Sequence, residues 1–162
     1  MLFIETIDVP TPAATVFDFV SDFKNLPKWD PTIVRVEQTV PGPVQRGTTY
    51  VVVLSFLGLE TTMHYLVDEY AAPTHAVLSG TAATVVATDT VTVEPRATGS
   101  RVVWKAEIEL AWPVRLLDPI VRLFFAPTVA QAIVNLKAAL IDLDSAAANV
   151  ARGLRGSPGS GR

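Results

Sequence analysis

Apolar residues recur at Val129, Ile133, Leu136, Leu140 and Leu143, at intervals of four, three, four and three. That spacing predicts an α-helix with one buried face, and Gln131, Asn135 and Asp142 fall on another side. With the apolar run before it, the helix is expected over Leu116 to Leu143. Upstream the period changes to two, as in strands. Strands are expected at Leu2–Val9, Ile33–Val40, Thr48–Leu57, Leu59–Tyr70, His75–Gly80, Thr84–Glu94 and Arg101–Leu110. Breakers separate them: Pro41-Gly42-Pro43 with Gly47, then Gly58, Ala72-Pro73, and Pro95 to Ser100. Between the first two strands, Pro10-Thr11-Pro12 stops the chain and starts a helix, with Thr11 as N-cap and Pro12 at the first helical position. Val16, Phe17 and Val20 form that helix's apolar face. Phe23 to Lys28 forms a second short helix, closed by Pro27 and the Trp29-Asp30-Pro31 turn. Strands joined by short turns favour an antiparallel meander. A long apolar helix needs a sheet to lie against, so the sheet is expected to wrap it.

Alternation then separates the faces of each strand. In the last strand Val102, Trp104, Ala106, Ile108 and Leu110 share one side, opposite Arg101, Lys105, Glu107 and Glu109. The apolar side faces the helix. In the strand before it, Val85, Ala87, Asp89, Val91 and Val93 share the inward side. Asp89 is thus a carboxylate among apolar residues. In a dry cavity its pKa would rise and it could act as a general acid or base, or bind a ligand hydroxyl; alternatively it reaches solvent at a bulge or strand end, or is a buried Asp with a hydrogen-bonding partner. In Leu59–Tyr70 the parity is open: Met63, Tyr65 and Val67 face in with His64 out, or the reverse. His64 is a second candidate acid/base group on that parity alone. Trp29 sits in a turn where it plugs the core or borders a cavity, and Asp30 is read as accepting turn hydrogen bonds. Tyr50, Tyr65 and Tyr70 each carry a hydroxyl that a ligand could use. The run Leu116 to Phe125 is interrupted only by Asp118 and Arg122, so it needs cover on more than one side. Leu123, Phe124 and Phe125 are read as cavity lining or a gate, or as a segment clamped between the sheet edge and the short helices. Pro127 is expected to kink the helix and act as its hinge.

Composition narrows the chemistry. Of 162 residues, 49% are hydrophobic and 18% charged, enough for one domain with a core. The net charge of −3 and the absence of basic runs argue against nucleic acid as partner. There is no cysteine, and two histidines cannot build a three-histidine metal site, so neither metal nor cofactor is expected. Neither a Gly-x-Ser-x-Gly elbow nor a Gly-rich phosphate loop is present. No targeting signal is read at the N-terminus, and the uncharged run Leu123 to Leu136 is too short to span a bilayer. A cytoplasmic protein without stable membrane insertion is expected, its oligomeric state open. Residues 1–148 read as one domain, and 149–162 as a disordered tail.

The order is strand, two short helices, six strands, long helix. Pro12 precedes Val16-Phe17, with Val20 and Asp22 closing that helix. Leu26-Pro27, Trp29 and Pro31 follow; Gly47-Thr48 opens the third strand; Val67, Glu69, Tyr70 and Pro73 end the fourth; and Leu136-Lys137 lies late in the last helix. Together these resemble the START-related helix-grip superfamily, most closely its polyketide cyclase/dehydrase and lipid transport branch, over about residues 1 to 145. The resemblance implies an α+β helix-grip fold: a curved antiparallel sheet around the C-terminal helix, with an apolar cavity between. Three functions are compatible with it. The first is binding or carriage of a small hydrophobic ligand of lipid, polyketide or isoprenoid type. The ligand-binding residues would be Trp29, Tyr50, Tyr65, Asp89, Trp104, Phe124 and Phe125. The second is a polyketide aromatase/cyclase or dehydratase using Asp89 or His64. The third is a protein-interaction module, which would need an exposed apolar patch in place of a buried cavity and would gain from a helix packed flush on the sheet.

Overall fold

The structure, a computed structural model, describes residues 1–155. Strand β1 (Leu2–Val9) leads into helix α1 (Ala13–Ser21) and a 3-10 helix (Phe23–Lys28). Then come β2 (Ile33–Gln38), β3 (Thr49–Phe56), β4 (Leu59–Ala71), β5 (His75–Thr81), β6 (Val85–Arg96) and β7 (Gly99–Leu110). A second 3-10 turn, Val114–Leu117, precedes the long helix α2 (Asp118–Arg155). The seven strands form one antiparallel sheet in the order β1-β7-β6-β5-β4-β3-β2. Consecutive strands pair from β2 to β7, and β1 closes the far edge by pairing with β7 from Leu2↔Glu107 to Val9↔Ser100.

Local chemistry explains the joints. The β3–β4 hairpin has a two-residue loop, since Phe56 pairs with Leu59. Leu57 and Gly58 both take positive φ, 52° and 79°, the left-handed pair that such loops require. Asp22 ends α1 and caps the following 3-10 helix by accepting from the Lys24 backbone N–H at 3.1 Å. At the start of α1 the expected N-cap is displaced. Pro12 occupies that position with no side-chain cap. The fully buried Thr11 hydroxyl instead donates to the Leu140 carbonyl of α2 at 2.7 Å, and Ser100 Oγ donates to the Thr11 carbonyl at 2.8 Å. The Pro10-Thr11-Pro12 turn is therefore a tie between helix and sheet, because a buried hydroxyl must find an acceptor wherever one lies.

The core joins Val16, Phe17 and Val20 of α1 to Leu136 and Leu140 of α2 and to the concave sheet face, including Val52, Val91 and Val102. Helix α2 begins two residues later than the hydrophobic run suggests, at Asp118, and continues through Pro127 without interruption. It also runs past the expected domain boundary at 148, to Arg155; the remainder of the expected tail, 156–162, lies outside the described residues. Over Pro119–Asn149 the helix is long and apolar enough to cross a membrane by length and composition, unlike the shorter uncharged run considered from sequence. Ala132, Leu136 and Leu140 nevertheless set its inner face into the core.

Candidate functional site

Helix α2 touches the sheet along β1 and meets the first 3-10 helix, so it stands off from the middle strands. Between them lies a cavity of about 250 Å³. Its walls follow from strand parity. From β7, Trp104, Ala106 and Ile108 face it, and from β6, Val85, Ala87 and Asp89 do so. Helix α2 contributes Val121, Phe125 and Val129. The aromatic end is a packed group: Trp29 meets Trp104 edge-on at 5.1 Å, and Phe23 lies 5.1 Å from Tyr65 and 6.4 Å from Trp104. Asn135 of α2 donates to the Trp29 carbonyl at 3.0 Å, which holds the Trp29 turn against the helix.

Asp89 sits at this aromatic end. It is enclosed by protein, yet part of its surface opens on the void. Trp104 Nε1 donates to its Oδ1 at 2.9 Å. Burial is the main cause that raises the Asp89 pKa, to about 6, against the opposing pull of hydrogen bonds from Trp104 and Tyr65. Burial and the nearby Asp89 charge together hold the Tyr65 hydroxyl well above its ordinary pKa, so Tyr65 is a proton donor at neutral pH. Gly80 of β5 makes this arrangement possible. It pairs with Tyr65, and a Cβ at Gly80 would fall 2.5 Å from the Tyr65 ring. The ring lies flat over that gap, on the side of the sheet that carries Asp89.

Five of the seven residues expected to bind a ligand line the cavity: Trp29, Tyr65, Asp89, Trp104 and Phe125. Phe125 is packed against Phe3 at 5.8 Å and Phe56 at 5.3 Å. Tyr50 does not line it. It is fully buried behind Phe23, and its hydroxyl donates to Asp22 Oδ1 at 3.4 Å. Phe124 does not line it either: it is half-exposed, and its neighbour Leu123 is more exposed still. The register of β4 resolves the open parity. Met63, Tyr65 and Val67 are buried and face in, while His64 is exposed on the outer face. His64 is therefore removed from the cavity's acid/base candidates.

Two further carboxylates line the cavity: Glu5, to which the sequence assigns no role, and Asp30, which reads chiefly as a turn acceptor. Glu5 carries a signal in the sequence, because it shares parity with Phe3, Ile7 and Val9 on β1. Asp30 does accept the turn hydrogen bonds expected of it, from Thr32 N at 2.9 Å and Thr32 Oγ1 at 2.6 Å. Its carboxyl is also buried enough that desolvation raises its pKa. Among the described residues, no Lys, Arg or His side chain lines the cavity, and no group of three or more His, Cys, Asp or Glu could hold a metal ion.

The sequence matches the family model described as polyketide cyclase / dehydrase and lipid transport over residues 3–140. The chain belongs to this family. That match reaches all seven strands and the buried half of α2, so it includes every residue of the cavity wall except Met1. Solved structures agree on the fold. A START superfamily protein from Mycobacterium smegmatis is 17% identical with a TM-score of 0.71, covering 88% of this chain and 98% of that one. A Thermus thermophilus protein is 16% identical with the same TM-score, covering 88% and 99%. The Zhui aromatase/cyclase from a Streptomyces species is 15% identical with a TM-score of 0.68, covering 88% and 92%. At such identities the likeness is one of fold: the curved sheet and long C-terminal helix of the helix-grip architecture. No curated protein sequence matches the chain significantly.

Proposed function

We propose that the protein binds a small hydrophobic ligand in the cavity between α2 and the sheet. The observation that carries this reading is the void itself, about 250 Å³ and walled mainly by apolar and aromatic side chains. Interiors are ordinarily packed without gaps larger than a water molecule, so a void of this size is retained for an occupant. Ligand sites typically run from roughly 300 to 1,000 Å³, so this one, just below that range, suits a compact aromatic or short isoprenoid more than a two-chain lipid. The void also favours ligand binding over the protein-interaction reading, which would gain only from a helix flush on the sheet with no void.

A second reading, an aromatase/cyclase or dehydratase, is favoured by one arrangement: Asp89 near neutrality beside the Tyr65 hydroxyl and the Trp104 N–H. A carboxyl with a pKa of about 6 can both take and give a proton at physiological pH. Native mass spectrometry of protein purified from its own source tests the first reading. A co-purifying apolar molecule is expected, displaced when the cavity is occupied by an added aromatic. Unliganded protein that binds no member of a lipid, polyketide and isoprenoid panel would overturn it. Turnover of a bound polyketide lost in Asp89→Asn, with binding retained, would move the assignment to the second.

A further inference from the structure

The cavity has a charge character that its apolar walls conceal. Three carboxyl side chains face it from three separate elements: Glu5 from β1, Asp30 from the turn after the first 3-10 helix, and Asp89 from β6. They are not clustered as metal ligands would be. They stand around the void, with Asp30 close enough for its charge to act on Asp89. Among the described residues no Lys, Arg or His side chain lines the cavity to offset them, and the Met1 ammonium at its rim is engaged by the Ile108 carbonyl. The polar groups of the wall are thus acceptor-rich. Asp89 accepts from the Trp104 N–H and the Tyr65 hydroxyl, and Asp30 uses one oxygen on Thr32, while Glu5 shares a face with the buried Ile7 and Val9.

We infer that the cavity selects an apolar ligand whose polar end donates hydrogen bonds, a hydroxyl or an amine, and rejects ligands of the same size that end in a carboxylate or phosphate. The inference rests on the ligand-binding reading above and names its ligand class. An anionic end placed beside Asp30, Asp89 and Glu5 would meet like charge where no Lys, Arg or His side chain offsets it. A hydroxyl or amine end meets acceptors that the protein leaves with spare lone pairs. Free fatty acids are excluded on this ground, and alcohols, phenols and hydrophobic amines are favoured.

Four rigid probes of one size test it by equilibrium dialysis near neutral pH: naphthalene, 2-naphthol, 2-(aminomethyl)naphthalene and 2-naphthoate. The wild-type protein is expected to bind 2-naphthol or the amine about tenfold or more tighter than 2-naphthoate. Tighter binding of the amine would place the ligand among amines, and tighter binding of the naphthol among alcohols and phenols. In Glu5→Gln/Asp89→Asn the gap between 2-naphthol and 2-naphthoate should shrink to about threefold or less. Glutamine and asparagine keep size and hydrogen bonding, so a folded double variant is expected, checked by circular dichroism. If that variant does not fold, Glu5→Gln alone carries the test with a partial narrowing. Should 2-naphthoate bind the wild type as tightly as 2-naphthol, or the gap persist in the folded variant, the charge selectivity is overturned and the binding reading survives. Should naphthalene itself fail to bind, the binding reading falls and the selectivity with it.

Discussion

Asp89 gathers most of the site's electrostatics into one side chain. Its folded pKa of about 6 lies above the ordinary 3.8, so the native state holds this proton more tightly than the unfolded chain. Between those two values the native state carries the extra proton, and stability contributed by Asp89 falls as pH rises through the window. Above the window the loss is constant, on the order of 3 kcal/mol for a shift of about two units. Asparagine cannot ionise but can still accept from Trp104 Nε1. Asp89→Asn is therefore expected to be more stable than the wild type near pH 8, by up to ~3 kcal/mol, and about equal to it near pH 4. Urea denaturation at the two pH values reads this directly; a difference that does not change with pH would show that Asp89 titrates normally. Legibility at this scale was uneven, and the reasons are physical. Asp89 stood out because its strand alternates cleanly around it. Glu5 obeyed the same alternation on β1, but it sits between the weaker hydrophobic signals of a short edge strand. His64 was ambiguous because both sides of β4 mix polar and apolar residues. Its parity is fixed only by partners, Tyr65 lying between Tyr50 and Gly80.

Among the elements, α2 shows most clearly where pattern ends and tertiary context begins. From Ala132 to Leu140 one face is buried and the stripe predicted it. Before Pro127 the helix is apolar nearly all round, so no periodicity could say that Phe125 faces the cavity while Leu123 and Phe124 face out. The strands and the order of elements were legible because their period of two persists over each strand. The Thr11 contact was not, because a hydroxyl bonding to Leu140 joins positions 129 residues apart. The two halves of α2 also differ in what holds them. The later half is tied by Thr11, Asn135 and the core. The earlier half has a mostly exposed outer side, and Pro127 deletes one backbone hydrogen bond at their junction. Local opening follows sparse burial, so amide exchange is expected to be at least about tenfold faster over 120–126 than over 132–140. Mass-spectrometric hydrogen exchange with peptides on both sides of Pro127 measures it, and equal protection would rule out a hinge there.

For the molecule as a whole, the cavity sets packing against binding. A void forfeits dispersion contacts that a filled core would have, and the chain keeps it between a helix and a sheet that could otherwise close together. Ala106 lines this void directly across from Asp89 in the β6–β7 register, so a larger side chain there projects into empty space and not into packed neighbours. Ala106→Phe is accordingly expected to leave stability unchanged within about 1 kcal/mol, where the same substitution in a filled core would cost about 1–3 kcal/mol. What it should remove is the response to ligand. A ligand at about a hundred times its Kd stabilises the native state by roughly 2.7 kcal/mol, and for a domain of this size that corresponds to a Tm rise of about 5–10 °C. The wild-type protein should show that rise with saturating 2-naphthol, and Ala106→Phe should show less than about 1 °C, although its unliganded Tm is close to the wild type's. The two readings separate the roles of the void. A variant that loses the shift while keeping its Tm locates binding in the cavity. A variant that keeps the full shift places the ligand elsewhere, with the exposed outer side of α2 the next surface to probe.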